Sequence, residues 1–509
     1  MSEFVPDGWV ATTLSEVASW SSGGTPSRTN QKFFSGSIPW IKTGELGPQF
    51  LHDTEEKISE EAVASSSAKI FPVGSVALAM YGATIGKASI LAMAASTNQA
   101  CAVGMPYAIS STLLYYFLLS QKEAFADAGK GGAQPNISQG IVKDWPMLLP
   151  PLAEQTRIVE KLEELLSDLD AGVAELKAAQ RKLAQYRQSL LKAAVEGALT
   201  ADWRRAREQT GEPQESGTDL LQRILTERRT RWETKQLAKF AEQGKAPPKD
   251  WKSKYAEPII PHVIHQASLP SGWTWATIDQ VAHVGTGVTP LRSKSQYFMD
   301  GTIPWVTSGA LNDEIVSEAS EHVTPLAIEE CRLELYPTGA LLVAMYGEGK
   351  TRGKCSQLSF PATINQAIAA LVLEGSAGVL HWHLKTFLLD AYEAMRKQAS
   401  GGVQPNLNLQ IIKSLTFPLP PLDEQMEIQN CLADQIAQHG ELQKMIKVAL
   451  KQSAAQRKNI LKAAFAGQLV PQDPNDEPAS VLLDRIRAER SAEGNTTATK
   501  RGRKTKEGA

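Results

Sequence analysis

The sequence predicts an α+β protein: two α/β modules in tandem duplication, each followed by a long α-helix, with the two helices pairing as an antiparallel intramolecular coiled coil. Two observations carry this prediction. Motifs spread along one half of the 509-residue chain return in the other at a nearly constant offset. Each copy then enters a helix-length stretch whose apolar residues follow coiled-coil spacing.

The duplication is dense. Pro6-Asp7-Gly8-Trp9 returns as Pro270-Ser271-Gly272-Trp273, and Ile38-Pro39-Trp40 as Ile303-Pro304-Trp305. Met80-Tyr81-Gly82, Asn98-Gln99-Ala100 and Gln134-Pro135-Asn136 return as Met345-Tyr346-Gly347, Asn365-Gln366-Ala367 and Gln404-Pro405-Asn406. Pro150-Pro151-Leu152 with Glu154-Gln155 returns as Pro420-Pro421-Leu422 with Glu424-Gln425. The offset drifts only from 264 (Pro6 to Pro270) to 270 (Pro150 to Pro420), so the halves differ by small insertions.

Taken in order, residues 1–150 form a first module. The apolar run 75–80 closes on Tyr-Gly and reads as a buried strand with a turn, and 115–128 has helical spacing. The proline pair ends the module, since proline cannot donate to a sheet ladder and suits a helix start. A helix is expected over 151–198, about 70 Å long at 1.5 Å per residue. Its seam runs Leu162, Leu165, Leu169, Gly172, Leu176, Ala179, Leu183, Tyr186, Leu190, Ala193. Gly197 is the expected end-cap. Residues 199–265 read as a charged basic linker with a helix-like piece at 220–231; from 223 to 254 it holds ten basic and four acidic side chains, with Trp232 and Trp251 interleaved. Residues 266–420 repeat the module, with the strand at 340–345 and helical spacing at 381–398. Residues 421–468 repeat the helix, with Ile428, Leu432, Gln435, His439, Leu442, Ile446, Ala449, Ser453, Gln456, Ile460 and Ala463 on the same grid and Gly467 as its end-cap. Residues 469–509 hold a short helical echo at 482–490 and a basic tail expected to be a solvated, disordered end.

Composition bounds the remaining possibilities. The formal charge is −2, no apolar run has the length of a membrane span, and Cys101, Cys331, Cys355 and Cys431 lie far apart without a CxxC. A reducing cytoplasm fits, with no membrane role. Catalytic patterns are missing. Gly82-Ala83-Thr84-Ile85-Gly86-Lys87-Ala88 is one residue short of a phosphate-binding loop, and Gly349-Lys350-Thr351 has Ala344 where the first glycine belongs. The close pairs His262/His265 and His381/His383 have no Cys, Asp or Glu at ligand spacing. No GxSxG or HExxH stands in the chain, nor does the Asn/Asp-Pro-Pro-aromatic signature of adenine methylases. The chain therefore reads as a non-catalytic pair of binding modules on a rigid spacer, a device for two sites at a fixed separation, as in duplex DNA read at two half-sites. A scaffold that bridges other proteins through the same modules and coiled coil is the alternative.

Two modules entered through Pro-x-Gly-Trp, each with Ile-Pro-Trp, a Gln-Pro-Asn loop and the exit Pro-Pro-Leu-x-Glu-Gln into a long helix, resemble the specificity subunit of type I restriction–modification enzymes. The resemblance covers nearly the whole chain, and the twice-used exit motif is its most specific element. It implies target recognition domains at 1–150 and 266–420 and conserved spacer helices at 152–198 and 422–468. It further implies a non-catalytic subunit that binds a bipartite DNA target and docks two modification subunits, which methylate adenine, with restriction/translocase subunits in the full complex. By the same resemblance this chain binds no cofactor, and S-adenosylmethionine, ATP and Mg belong to the partners. The long basic linker departs from more compact relatives.

Each module carries a net −3 (nine basic and twelve acidic over 1–150, ten and thirteen over 267–419), so DNA-facing cations must be clustered. The expected contacts are Arg28, Lys32, Lys42, Thr43, Tyr81, Thr84 and Lys87 in the first module. In the second they are Arg292, Lys294, Thr307, Ser308, Tyr346, Lys350, Arg352 and Lys354. Residues common to both modules are expected to build the fold. Base discrimination is expected where the copies differ, as at Lys42-Thr43 against Thr307-Ser308 and Ala83-Thr84 against Glu348 and Arg352.

Overall fold

A computed structural model of the chain describes residues 5–129, 135–210, 215–262, 268–347, 351–400 and 406–504, with backbone only for 398–400 and 492–504. The first module has ten strands: β1 Val10–Thr13, β2 Ala18–Ser22, β3 Ile38–Ile41, β4 Phe50–Leu51, β5 Glu56–Ile58, β6 Val76–Ala79, β7 Ala88–Leu91, β8 Ser96–Thr97, β9 Cys101–Pro106 and β10 Pro146–Leu149. The second has ten in the same succession: β11 Thr274–Thr277, β12 Ala282–Thr286, β13 Ile303–Val306, β14 Ile315–Val316, β15 Glu321–Val323, β16 Leu341–Ala344, β17 Cys355–Leu358, β18 Thr363–Ile364, β19 Ile368–Leu373 and β20 Thr416–Leu419. Sheet orders repeat as well. A five-stranded sheet runs β2-β9-β6-β7-β4 and again β12-β19-β16-β17-β14, and a three-stranded one β5-β3-β8 and β15-β13-β18. The antiparallel pairs β1–β10 and β11–β20 clasp entry to exit.

The central strands are buried on both faces, which is why they read as unbroken apolar runs. Strand alternation sends Val76 and Leu78 into a helix-covered core, and Ala77 and Ala79 into a second core with Ile41, Phe71 and Leu91. Leu341 and Val343, against Leu342 and Ala344, divide the same way in the second module. Over the first face lies a helix at Ser111–Ser120, then one at Lys122–Ala128; the counterparts are His381–Asp390 and Tyr392–Ser400. Each was expected as one helix. Apolar spacing carries across the single residue at each break, Gln121 or Ala391, and so cannot reveal it.

The two long helices span Leu152–Val195 and Leu422–Phe465, 44 residues each. Gly197 and Gly467 follow them at φ +74° and +69°. A Cβ on either would also press on its neighbour, 2.8 Å from the Trp273 ring for Gly197 and 2.5 Å from Pro6 for Gly467. Glycine is required there by both conformation and closeness.

Contacts divide the chain into two compact units, residues 1–178 with 446–509, and residues 179–445. Within the first unit, Leu162 and Leu166 near the start of the first long helix share a core with Leu461 and Ala464 near the end of the second. Within the second unit, Leu190, Leu191 and Ala194 share one with Ile428 and Leu432. The pairing is therefore antiparallel in each. The seam differs from strict heptads: Leu166, Leu191 and Ala194 are buried where Leu165 and Ala193 were expected, while Tyr186 and Leu442 are about half exposed. Near their ends the helices also pack on a module, which widens the buried stripe beyond a two-helix seam. Polar seam residues set register instead: the amide of Gln435 accepts from the Tyr186 hydroxyl (3.1 Å), and His439 Nε2 lies 2.9 Å from the Leu183 carbonyl.

The linker is more ordered than a charged spacer. Its helix runs Gly217–Glu242, well beyond 220–231, after a shorter helix at Ala201–Thr210. The chain then returns along it, and Trp232 stacks on Trp251 (centroids 5.7 Å apart) and meets Tyr255 edge-on (5.3 Å). At the C-terminus a helix spans Ala479–Lys504, so the backbone through Lys500, Arg501, Arg503 and Lys504 is helical rather than an irregular tail.

Candidate nucleic-acid interface

At one end of each five-stranded sheet the loops converge. In the first module the Gln-Pro-Asn segment lies over the Tyr-Gly turn: Gly82 N–H donates to the Pro135 carbonyl (2.9 Å), Tyr81 bridges Asn136, and Ile137 N–H donates to Met80 (3.0 Å). Gln134 itself lies outside the described residues. The Thr25 hydroxyl donates to Gln99, and the Trp40 indole to the Gly24 carbonyl (2.9 Å), drawing the three-stranded sheet to the same end. The second module repeats this with Thr289 on Gln366, the Trp305 indole on Val288 (3.3 Å) and Leu407 N–H on Met345 (3.2 Å). The shared motifs thus hold the loops together. Tyr81 and Tyr346 stand exposed on this rim (45% and 37%), and Thr84 caps its own turn by donating to the Tyr81 carbonyl (2.7 Å).

Several expected cations are already neutralised. Arg28 pairs with Glu56 (2.6 Å) while its guanidinium lies over Phe34 and Trp40, 4.3 and 5.0 Å from the centroids. Arg292 copies this with Glu321 (2.6 Å), Phe298 and Trp305 (4.8 and 5.2 Å). Lys42 sits 3.0 Å from both Glu55 and Glu56, whose hydrogen bonds raise its pKa. Lys294 is held by Glu330 and Tyr297, which raise its pKa in turn. Hydrogen bonding to these cations lowers Glu56, Glu321 and Glu330. Lys354 donates to Asn312 (3.0 Å), and the buried Arg352 Nε has no partner among the described residues. Thr307 bonds Ser320 through backbone and hydroxyl (3.1 Å each), and Ser308 begins the short 3-10 turn that follows. Thr43 begins the matching turn in the first module. Lys32 is exposed and Lys87 half-buried, and among the described residues neither makes an ion pair. Lys350 and Glu348 lie outside the described residues. The structure thus gathers Tyr81, Thr84 and Lys87 on one turn and commits Arg28, Arg292, Lys42 and Lys294 to carboxylates.

Sequence reading missed what the two most conspicuous repeats do to each other. The indole of the entry tryptophan donates to the glutamate of the exit motif, Trp9 to Glu154 (2.9 Å) and Trp273 to Glu424 (2.7 Å). The following glutamine turns back on the proline pair: Gln155 donates to Pro150, and Gln425 to Pro420, at 2.9 Å each. All four acidic and amide side chains are buried. Motifs about 145 residues apart are thereby one junction, which fixes the angle at which each module meets its helix. The signal was in the sequence, as two motifs that always recur together, but spacing alone does not say that they touch.

Among the described residues, no group of His, Cys, Asp and Glu could hold a metal ion, and no helix is long and apolar enough to cross a membrane. The family model for the type I restriction modification DNA specificity domain matches residues 6–178 and again 270–452. The chain is 25% identical over 407 residues to the EcoDI specificity subunit of Escherichia coli, covering 78% of this chain and 80% of that one. It is 25% identical over 525 aligned residues to the EcoKI specificity subunit of Escherichia coli strain K12, covering 98% of each. Among solved structures, a chain of a type I R-M system superposes with a TM-score of 0.63 at 16% identity, over 91% of this chain and 99% of that one, which shows a common fold. With the family domain present twice, on two modules of one topology, the chain belongs to the type I restriction–modification DNA specificity subunits.

Proposed function

We propose that the two modules read the two halves of a bipartite, asymmetric DNA target, the first module one half-site and the second the other. Specificity subunits of this family are non-catalytic, so the chemistry lies with partners. The observation that carries the reading is the contrast between a shared framework and unshared polar groups on the same rim. Thr25–Gln99, Arg28–Glu56 and Trp40–Gly24 have counterparts in Thr289–Gln366, Arg292–Glu321 and Trp305–Val288, while Lys42 stands where Thr307 does. Identical groups cannot distinguish different sequences; unlike donors and acceptors on a common scaffold can.

In this reading the long helices set the separation of the half-sites and carry two modification subunits, with restriction subunits joining the full complex in the cytoplasm. The exposed side chains Leu442 and Met445 on the second long helix support such docking. No cofactor is assigned to this chain; S-adenosylmethionine, ATP and Mg are assigned to the partners. Exchanging residues 1–150 for another family member's module, followed by methylation-sensitive sequencing of a host carrying the assembled system, tests the division. One half of the methylated site should change and the other stay. A change in both halves would sink it.

A further inference from the structure

The linker helix Gly217–Glu242 and the C-terminal helix Ala479–Lys504 are the same element used twice. Each has 26 residues, and each starts on the entry turn of a module. Gly217 N–H donates to the Gly272 carbonyl and Ala479 N–H to the Gly8 carbonyl, both at 2.8 Å. Each buries a matching triplet, Leu220, Leu221 and Ile224 or Leu482, Leu483 and Ile486. Each also reaches an acid in a one-turn helix near the module's start (Ile278–Val281 or Leu14–Val17), Arg228 towards Asp279 (4.0 Å) and Arg487 to Glu16 (2.8 Å).

Beyond this docked part both become basic. At the end of the linker helix Lys235 and Lys239 are exposed, as are Lys245, Lys249 and Lys254 in the segment that follows it; among the described residues none of these makes an ion pair, whereas the neighbouring Lys252 is held by Glu233 (2.9 Å). The sequence of the second arm closes on Lys500, Arg501, Arg503 and Lys504. The arm's aromatic residues are not available as anchors: Trp232, Trp251 and Tyr255 pack on one another, and Phe240 meets Trp251 edge-on at 6.2 Å. Exposed lysines without exposed aromatics make a poor protein interface, whose core favours aromatics and depletes lysine. They suit phosphates, which need charge and no shape.

We infer that the linker helix with the segment that follows it, and the C-terminal helix, are a pair of basic arms that bind the DNA phosphate backbone without reading sequence, supplying attraction that the acidic modules lack. This rests on the chain being a DNA specificity subunit. It also accounts for the duplication, because a duplex offers the same phosphate surface to both arms.

The test uses the full chain assembled with its modification subunits, with Lys235→Glu, Lys239→Glu, Lys245→Glu and Lys249→Glu combined. Affinity for a duplex carrying the bipartite target in long flanks is measured from low to moderate salt, alongside a backbone footprint. The expected result is a plot of log K against log salt shallower by roughly two to four than that of the parent, a footprint shortened on one flank, and an unchanged methylated sequence. A parental slope and footprint overturn the inference. So does loss of the modification subunits on purification with the slope intact, which would make the arm a protein dock. If the parent complex shows no sequence preference, the specificity reading fails, while the difference in slope still decides the arms.

Discussion

The two junctions between module and helix use one motif and close differently. Both bury the exit glutamate against the entry tryptophan. At the second, Glu424 also accepts from the Thr200 hydroxyl (2.7 Å) and pairs with Arg204, itself only 16% exposed. At the first, Glu154 accepts from Trp9 and from the amide of Gln472 (3.4 Å), both neutral, while the nearby Arg157 is taken by Asp476 (2.6 Å). One carboxylate thus has a cation and the other only dipoles. Burial accordingly raises the Glu154 carboxyl above its ordinary pKa. A repeated motif specifies which groups meet, but the segment arriving from elsewhere decides whether their charge is compensated.

The largest expected effect breaks the better-compensated site. Glu424→Ala leaves the partly buried Arg204 with the Gly197 carbonyl (2.9 Å) in place of a carboxylate, and should cost about 3 kcal/mol or more. Glu154→Ala, which removes only hydrogen bonds, should cost about 1–3 kcal/mol. Urea denaturation of both variants measures the gap, and equal losses would show that Arg204 contributes nothing.

A pH series sharpens the same contrast. With its folded pKa above the unfolded value of 4.5, Glu154 contributes stability that is fully present below pH 4.5 and is lost as pH rises through the folded pKa. Glu154→Gln keeps an acceptor for Trp9 and removes the charge. Its melting temperature should match the parent near pH 4 and exceed it by about 2 °C or more at pH 7.5. The same offset at both pH values would mean that the charge is not what is being removed.

Much of this was legible in the sequence, and the misses have a common cause. The strands Val76–Ala79 and Leu341–Ala344, the glycine caps and the long helices depend on local periodicity and conformation, so residues a few positions apart suffice to predict them. The fate of Arg28 depends on Glu56 and Trp40, that of Lys42 on Glu55, and that of Glu424 on Arg204. These pairings are set by sheet register and helix docking, which no single stretch encodes. As recognition candidates the cations fit by type and position, yet carboxylates 13 to 36 residues further along the chain had claimed four of them.

The smallest expected effects concern the polar seam of the second long helix. Gln435→Leu loses the bond from Tyr186 and should cost about 0.5–1.5 kcal/mol. Gln456→Leu, at an exposed position, should stay within about 0.5 kcal/mol. Denaturation midpoints and the spacing of the methylated half-sites report both; equal costs, or an altered spacing with Gln456→Leu, would show that both positions set register.

The sequence by itself determined that the protein is a duplication and that a long helix follows each module, because repeats, caps and periodicity are written in neighbouring residues. Only the tertiary structure decided that Trp9 belongs to Glu154 and Trp273 to Glu424, that the end of the first long helix docks on the second module's tryptophan, and which lysines are drawn into ion pairs. Those outcomes turn on distances between groups far apart in the chain, and the energy of an ion pair or a buried hydrogen bond exists only once the fold has set those distances.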